Sequence, residues 1–353
     1  MDQGLRQLQE RVLERDLCTL CGACLSLCPY LGSHDGRVVR LHDCDLDQGR
    51  CFAYCPRTEL DPDALARAAF GPDAELDVEV GHVEHVLMAR ATGPFRARAQ
   101  NGGTVTALVT QALGDGLIDA ALLTRRDERQ LPEPLLARSE EEILSCVGSS
   151  YVAGAALEAL GAIDETGRVG VVALPCQAQA LAKMRGERGV ALVIGLFCTW
   201  ALHRAPFARF LRRRFGRRTV RRIDISPPPE RLLVVATERG EETVPLDEVR
   251  ALIRPGCAAC VDLTAELADL SVGSVESQPG WNTVLIRSEA GWALLERARR
   301  AGSLELRELP QPDMEHLWAA SLEKKRRALA ALGAPEESYL APAWVRRVLE
   351  AGP

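Results

Sequence analysis

From about residue 82 the chain alternates apolar runs with segments of helical period. Val169–Leu174 and Val190–Phe197 are continuous apolar runs and Ile118–Thr124 is a third of buried type, the pattern of strands covered on both faces. Val83–Ala89 is a further expected strand. Helices are expected at Val105–Leu113, opened by Asn101-Gly102-Gly103-Thr104 and closed at Gly114, and at Ala155–Leu160 and Ala178–Met184. Ser139-Glu140-Glu141-Glu142 has the form of a capping box. Strand patterns follow around Ile223-Asp224-Ile225, Leu232–Thr237, Leu270–Gly273 and Asn282–Arg287, with helical patterns at Trp292–Arg300 and over 313–350. Strands alternating with helices imply an α/β sheet whose strand-end loops are available to a cofactor. Before residue 82 the pattern is different. Leu5, Leu8, Val12 and Leu13 mark one short amphipathic helix, Ser33-His34-Asp35-Gly36 suits a hairpin turn, and Asp61-Pro62-Asp63 caps a helix in a linker.

Cysteines change the picture most. The chain has twelve, and they cluster. Cys18, Cys21, Cys24 and Cys28-Pro29 read C-x2-C-x2-C-x3-C-P, the spacing of bacterial ferredoxins, in which three close thiolates hold a cluster and the fourth serves a neighbouring one. Cys44, Cys51 and Cys55-Pro56 make a second, poorer run: Asp45, Asp47 and Gln48 stand where a middle cysteine belongs. In a crossover arrangement Cys18, Cys21, Cys24 and Cys55 hold the first cluster, and Cys28, Cys44 and Cys51 the second. The second is then a three-iron cluster or a four-iron cluster with a non-cysteine ligand. Zinc competes for C-x2-C pairs but seldom takes three cysteines at two-residue gaps closed by Cys-Pro. Disulfides lack a secretory context.

Five more cysteines fall beyond the runs. Cys176 follows one buried strand through Pro175, Cys198 ends the next, and Cys257 and Cys260 form a C-x2-C pair in a Pro-Gly loop. Parallel neighbours would bring Cys176 and Cys198 to one sheet edge, where the four thiolates could meet. Read by themselves, Cys176 and Cys198 are equally ordinary buried thiols. Cys146 has no partner motif and is expected to be structural.

Composition mostly excludes. Net charge is −6 and aromatic content 5%, which argues against a nucleic-acid partner. Hydrophobic content is 47%, enough for a sizeable core. No run is long enough to span a bilayer and the first residues do not form a secretory signal, so a soluble, reducing, cytoplasmic setting is expected. Residues 199–215 are expected to form a basic helix with Arg209, Arg212, Arg213 and Arg214, either a solvated face or a contact for phosphates or an acidic partner. The six histidines share no motif, and neither a Ser-His-Asp set nor paired carboxylates are expected to do catalysis.

Several stretches together resemble the beta subunits of coenzyme F420-reducing hydrogenases and F420-linked dehydrogenases. They are Asn101-Gly102-Gly103-Thr104-Val105-Thr106, Gly148-Ser149-Ser150-Tyr151, Leu174-Pro175-Cys176-Gln177, Gly195-Leu196-Phe197-Cys198, Arg254-Pro255-Gly256-Cys257-Ala258-Ala259-Cys260-Val261-Asp262 and Ala265–Gly273. The resemblance spans roughly residues 82–300. It implies an FAD domain with its own [4Fe–4S] cluster on Cys176, Cys198, Cys257 and Cys260. It places the flavin near Asn101, Gly102, Gly103, Thr104, Thr106, Gly148, Ser149, Ser150, Tyr151 and Gln177. Many members have lysine where this chain has Ser150.

The expected fold is an α/β flavin-binding domain (79–310) preceded by a ferredoxin-like α+β iron–sulfur module (1–78) and followed by a helical C-terminal tail (311–353). The expected cofactors are FAD and two or three [4Fe–4S] clusters, one of which could be [3Fe–4S]. The expected function is electron transfer through FAD between a partner's iron–sulfur clusters and a soluble two-electron carrier, F420 or NAD(P). Expected partners are hydrogenase, formate dehydrogenase or heterodisulfide-reductase-like subunits. Direct reduction of an organic or inorganic substrate and a flavin-free wiring role are the alternatives.

Overall fold

A computed structural model describes residues 4–351 apart from 47, 164–165, 227–229, 276 and 334–337. In chain order its strands are β1 (Leu31–His34), β2 (Arg37–Arg40), β3 (His85–Ala91), β4 (Ala120–Arg126), β5 (Pro132–Ala137), β6 (Val169–Ala173), β7 (Val190–Leu196), β8 (Val220–Ile225), β9 (Leu232–Thr237), β10 (Gly240–Pro245), β11 (Leu270–Ser274), β12 (Asn282–Ile286) and β13 (Leu304–Glu308). Eight form one mixed sheet in the order β13-β3-β12-β11-β7-β6-β4-β5.

Within it β4, β6, β7 and β11 are parallel neighbours. Strand β12 is antiparallel to both β11 and β3, so β3 points the same way as those four. Five strands therefore end on one edge of the sheet. Ala91, Arg126, Ala173, Leu196 and Ser274 are their last residues, and each leads into a stretch that the sequence singled out or into its neighbour.

The apolar runs are continuous because both faces are covered. Helices Thr104–Gly114 and Glu289–Arg300 cover one face, with Leu108, Ala112, Leu294 and Leu295 packed on Ile194, Val272 and Val284. The helix Pro175–Lys183 and the 3-10 segment Ala156–Ala162 cover the other, where Cys21 and Ala23 of the first cysteine run also pack against Val171, Ala173 and Leu157. The first run is thus part of the sheet's own core. A small sheet, β10-β9-β8, packs on the helix Arg204–Phe215, and the C-terminal helices Gln311–Leu332 and Pro342–Glu350 pack together with Leu60 and Val261. No described helix is long and apolar enough to cross a membrane.

The hairpin β1–β2 turns at Asp35 and Gly36, both at positive φ as a tight two-residue turn requires. Asp61 caps Pro62–Phe70, and its Oδ1 accepts from the amides of Asp63 and Ala64 at 3.1 and 3.0 Å. Two local expectations need correction. The N-terminal helix is α-helical only over Leu5–Leu8 and then widens to a π-helix over Gln9–Leu13. The basic helix starts at Arg204, because residues before it pair with neighbouring loops: Leu202 bridges Val152 and Ile253.

Candidate redox centre

The thiols fall into three groups, judged by which lie close enough for the charge of one to act on another. Cys18, Cys21, Cys24 and Cys55 form the first group. Burial pushes Cys21 and Cys24 well up, and Cys55 to about 11, with their neighbours' charges adding to it. Cys51 responds to Cys28 and Cys44, and burial followed by those two thiols takes it to about 11. Cys176, Cys198, Cys257 and Cys260 form the inner group. The first group borders both others, since Cys21 feels Cys176 and Cys24 feels Cys51. Of the stretch with no middle cysteine, Asp45 and Gln48 are exposed and Asp47 lies outside the described residues.

Local structure explains the convergence. Cys18 Sγ accepts from the Leu20 amide at 3.4 Å, with Leu20 in the left-handed region. Lys183 donates to the Cys55 and Thr58 carbonyls at 2.8 and 2.7 Å and ties the Cys-Pro turn to the helix that carries Cys176 in its first turn. Arg254 is buried and donates to Gly36 O at 2.7 Å and Cys18 O at 3.0 Å, which clamps the Cys257 loop to the first run. Gly256 makes the clamp possible: a Cβ there would lie 2.4 Å from Leu17 O. Cys198 is fixed through its amide to Leu263 O at 2.8 Å.

The inner four cysteines line a pocket shared with Thr19, Cys21, Arg57, Gln177 and Lys324. Burial and then Cys260 push Cys176 up to about 12, and burial also raises Cys198 and Cys257. At Cys260 burial acts in the same direction, but Lys324 and Arg57 together outweigh it and hold the thiol below its ordinary value. Both cations are buried, at 2% exposure for Arg57 and 5% for Lys324. Lys324 donates to Cys198 O at 2.5 Å and Asp262 O at 2.6 Å. Arg57 donates to Pro56 O at 3.1 Å and Gln179 Oε1 at 3.3 Å, and lies 5.2 Å from the Tyr339 ring centre. Neither cation has a carboxylate ion pair among the described residues, and Arg57 Nε and the Thr19 hydroxyl are buried without a partner. The pocket thus presents thiols, two cations and spare donors, which fits an anionic, acceptor-only group such as a thiolate-bound iron–sulfur cluster. Among the described residues no three His, Cys, Asp or Glu side chains close round a single metal ion.

The flavin candidates behave otherwise. Gly102 packs on Asn282, whose Oδ1 would lie 2.2 Å from an added Cβ, and Gly103 has φ +77°. The Thr104 hydroxyl donates to Asn282 Oδ1 at 2.9 Å or Ala89 O at 3.1 Å, and Asn282 Nδ2 donates to Gly273 O at 3.1 Å. Asn101 Nδ2 donates to Ser274 Oγ at 3.0 Å. Gln100 joins this stretch to the turn at Gly148, accepting from the Ser149 amide at 2.8 Å. Arg126 supports that turn from beneath, donating to Val147 O at 2.8 Å and Ser149 O at 3.3 Å. Tyr151 donates to Asp224 Oδ1 at 3.1 Å; burial and then that carboxylate raise its pKa. Thr106 is half-buried on the helix. The structure therefore brings 101–104 and 148–151 together at the strand ends, mostly with their polar atoms already satisfied. The exception is the Ser150 hydroxyl, which is buried and unpartnered. Gln177 sits elsewhere: it lines the inner pocket and its Oε1 caps the helix by accepting from the Leu174 amide at 2.7 Å.

Arg57, Thr19, Lys324, Arg126 and Asn282 escaped the sequence reading. Arg57 stands two residues after Cys55, a nearness that could have drawn notice, whereas Lys324 looks like any lysine of a charged helix until the fold buries it. Cys146 closes the helix Glu140–Ser145, and its Sγ donates to Glu142 O at 3.5 Å.

Comparison with known proteins bears on this geometry. A family model for the coenzyme F420 hydrogenase/dehydrogenase beta subunit N-terminal region matches residues 86–161, and one for the C terminus of the same subunit matches residues 166–312. The beta subunit of coenzyme F420 hydrogenase from Methanothermobacter thermautotrophicus is 31% identical over 278 residues, 74% of this chain and 98% of the relative. A second relative belongs to the F(420)H(2) dehydrogenase of Methanosarcina mazei and is 29% identical over 327 residues, 90% of this chain and 92% of the relative. Among solved structures, a chain of the F420-reducing [NiFe] hydrogenase complex from Methanosarcina barkeri superposes with a TM-score of 0.66 at 30% identity, covering 73% of this chain and 94% of that one.

Proposed function

The chain belongs to the coenzyme F420 hydrogenase/dehydrogenase beta-subunit family, and on that premise we propose that its three cysteine groups hold iron–sulfur clusters and that FAD occupies the crevice at the strand ends. It is an oxidoreductase subunit whose work is electron transfer. Bound clusters would carry electrons singly, and a bound flavin would exchange them in pairs with a hydride carrier, F420 or NAD(P). The observation that carries the reading is the set of three neighbouring thiol groups, the innermost lining a pocket with two buried cations that have no carboxylate ion pair among the described residues.

The chain's own residues have definable tasks in this scheme. Cys18, Cys21, Cys24 and Cys55 would take the middle cluster, with Cys28, Cys44 and Cys51 outermost and Cys176, Cys198, Cys257 and Cys260 innermost. Residues 1–78 would act as the ferredoxin-like module, 79–310 as the flavin and inner-cluster domain, and 311–353 as the helical segment that closes the inner pocket through Lys324. Arg254 would hold the first two units in register through Cys18 O and Gly36 O. Cys21, Cys51 and Cys260 are buried and the other cluster cysteines partly so, and Lys324 and Arg57 favour the thiolate at Cys260. Asn101 to Thr106 and Gly148 to Tyr151 would shape the flavin crevice, and Ser150 would offer it a hydroxyl. A hydrogenase subunit is the partner class that fits the solved relative.

Cys257→Ala tests the relay. Anaerobically prepared wild-type protein should contain iron and acid-labile sulfide with little zinc. The variant should lose one cluster signal and keep FAD. Flavin reduction through the native partner should fall at least about tenfold, while direct reduction by a low-potential chemical donor changes little. Equal partner-driven rates in variant and wild type would remove Cys257 from the route.

A further inference from the structure

Two adjacent lysines on the helix Gln311–Leu332 are both buried, yet they are treated differently. Lys325 pairs with Glu266 and lies over the Trp344 ring. Lys324 has no carboxylate partner among the described residues. Two of its three donors go to Cys198 O and Asp262 O, and the inner cysteine pocket is what remains beside it. Arg57 faces the same pocket from the opposite end of the chain, also without a carboxylate ion pair among the described residues, with Nε lacking a partner there. The buried Asp262 carboxylate acts on Lys324 without forming an ion pair with it; a buried charge without a close counter-charge is costly, so two of them against one pocket imply that the occupant is anionic.

We infer that Lys324, together with Arg57, sets the reduction potential of the inner cluster by offsetting the negative charge of its thiolates. The inference rests on reading Cys176, Cys198, Cys257 and Cys260 as cluster ligands. A four-iron cluster on four thiolates is anionic in both oxidation states and gains one further negative charge on reduction. Reduction takes one electron from a low-potential donor; no bond is made or broken, and both cations keep their protons. A fixed positive charge in a poorly screened interior favours the more negative state, so it raises the potential. Both residues lie outside the stretches matched by the family models, which cover 86–161 and 166–312. The segments that flank those stretches would then tune the inner cluster. Lys324 acts as a positioning charge; it need not touch any reacting atom.

The test is Lys324→Met, which keeps the length of the stem, beside Lys324→Arg, which keeps the charge. Each holoprotein is titrated anaerobically with dithionite and followed by electron paramagnetic resonance. The inner component is identified as the signal absent from Cys257→Ala. Iron and sulfide contents are measured on the same samples. At an ambient potential fixed near the wild-type midpoint, the reduced-to-oxidised ratio of the inner cluster should fall about tenfold in Lys324→Met, equivalent to about 59 mV for one electron. It should stay near wild type in Lys324→Arg. Loss of the inner cluster in Lys324→Met but not in Lys324→Arg also supports the inference, because charge is then needed for retention. A retained cluster with an unshifted midpoint in Lys324→Met overturns it. So does loss of the cluster in both variants, which would make the ammonium's hydrogen bonds the cause. Wild-type protein devoid of iron and sulfide would instead sink the cluster reading itself.

Discussion

The inner cysteine pocket and the crevice at Gly102 and Gly148 lie along one sheet edge, but they are finished in opposite ways. In the pocket, among the described residues, the side chains keep chemistry in reserve: four thiols, of which only Cys198 and Cys260 donate, to backbone carbonyls, two cations without carboxylate ion pairs, and a guanidinium nitrogen and a hydroxyl without partners. In the crevice the conspicuous residues are spent on one another. Thr104 binds Asn282, Asn101 binds Ser274, Ser149 binds Gln100 and Tyr151 binds Asp224. A group held by direct side-chain bonds must leave its ligands free until it arrives. A crevice for a large planar molecule is made by backbone shape, and its motif residues can be consumed in making that shape. A motif therefore points to a site in two senses, as ligand or as scaffold, and only the hydrogen-bond accounting separates them.

The comparison breaks most visibly if the pocket's occupant is removed. Stripping iron from the intact protein with an anaerobic chelator leaves Arg57 and Lys324 buried without a close counter-charge, at a cost of about 3–5 kcal/mol. With the cluster's own binding energy also lost, the calorimetric midpoint should fall by roughly 10 °C or more. A midpoint that stays put after iron is gone would mean the cations are content with their carbonyl partners. Next in size comes the scaffold. Asn282→Ala removes the acceptor of Thr104 and the donor to Gly273 O, both in the interior. About 2–3 kcal/mol should be lost, since buried groups on either side are left unpaired. Flavin content should fall with it, although Asn282 is not proposed to contact flavin. If thermal melts show stability unchanged while flavin is lost, Asn282 belongs among the ligands and the crevice resembles the pocket after all.

How much of this was legible beforehand depended on how loudly each residue type speaks. The buried strands β6 and β7 were read nearly to their ends, because two covered faces demand continuous apolar runs. Strands β5, β10 and β13 were missed; all three are sheet edges. Strand β5 begins at Pro132, which an edge tolerates, and β10 and β13 carry Glu241 and Glu308 on exposed positions and Glu242 and Glu305 on half-buried ones. The grouping of Cys18, Cys21, Cys24 and Cys55 against Cys28, Cys44 and Cys51 is an expectation that spacing alone can raise, since the loop is short and the ligand type is rare. Lys324 could not be found that way. Its neighbours in sequence are charged and ordinary, and what distinguishes it is the side of a long helix that packs on Cys198. Asn282 likewise gains its role from a strand pairing with β3, almost two hundred residues earlier in the chain.

The smallest effect gives the finest test. Ser150 is the one residue of the proposed flavin set whose buried hydroxyl has no partner, so it alone in the crevice looks like the atoms of the pocket. If that hydroxyl waits for a ligand, Ser150→Ala should cost the folded protein almost nothing, within about 0.5 kcal/mol of wild type. An unsatisfied group is removed and no partner is abandoned. Flavin should suffer more: loss of one hydrogen bond worth about 0.5–1.5 kcal/mol weakens binding by up to roughly tenfold. Flavin release measured by fluorescence on dilution, beside a thermal melt of the same protein, separates the two quantities. A rise in stability with flavin affinity untouched would make Ser150 a packing imperfection. The crevice would then hold its ligand without any waiting side chain from this set, and its difference from the cysteine pocket would be one of kind.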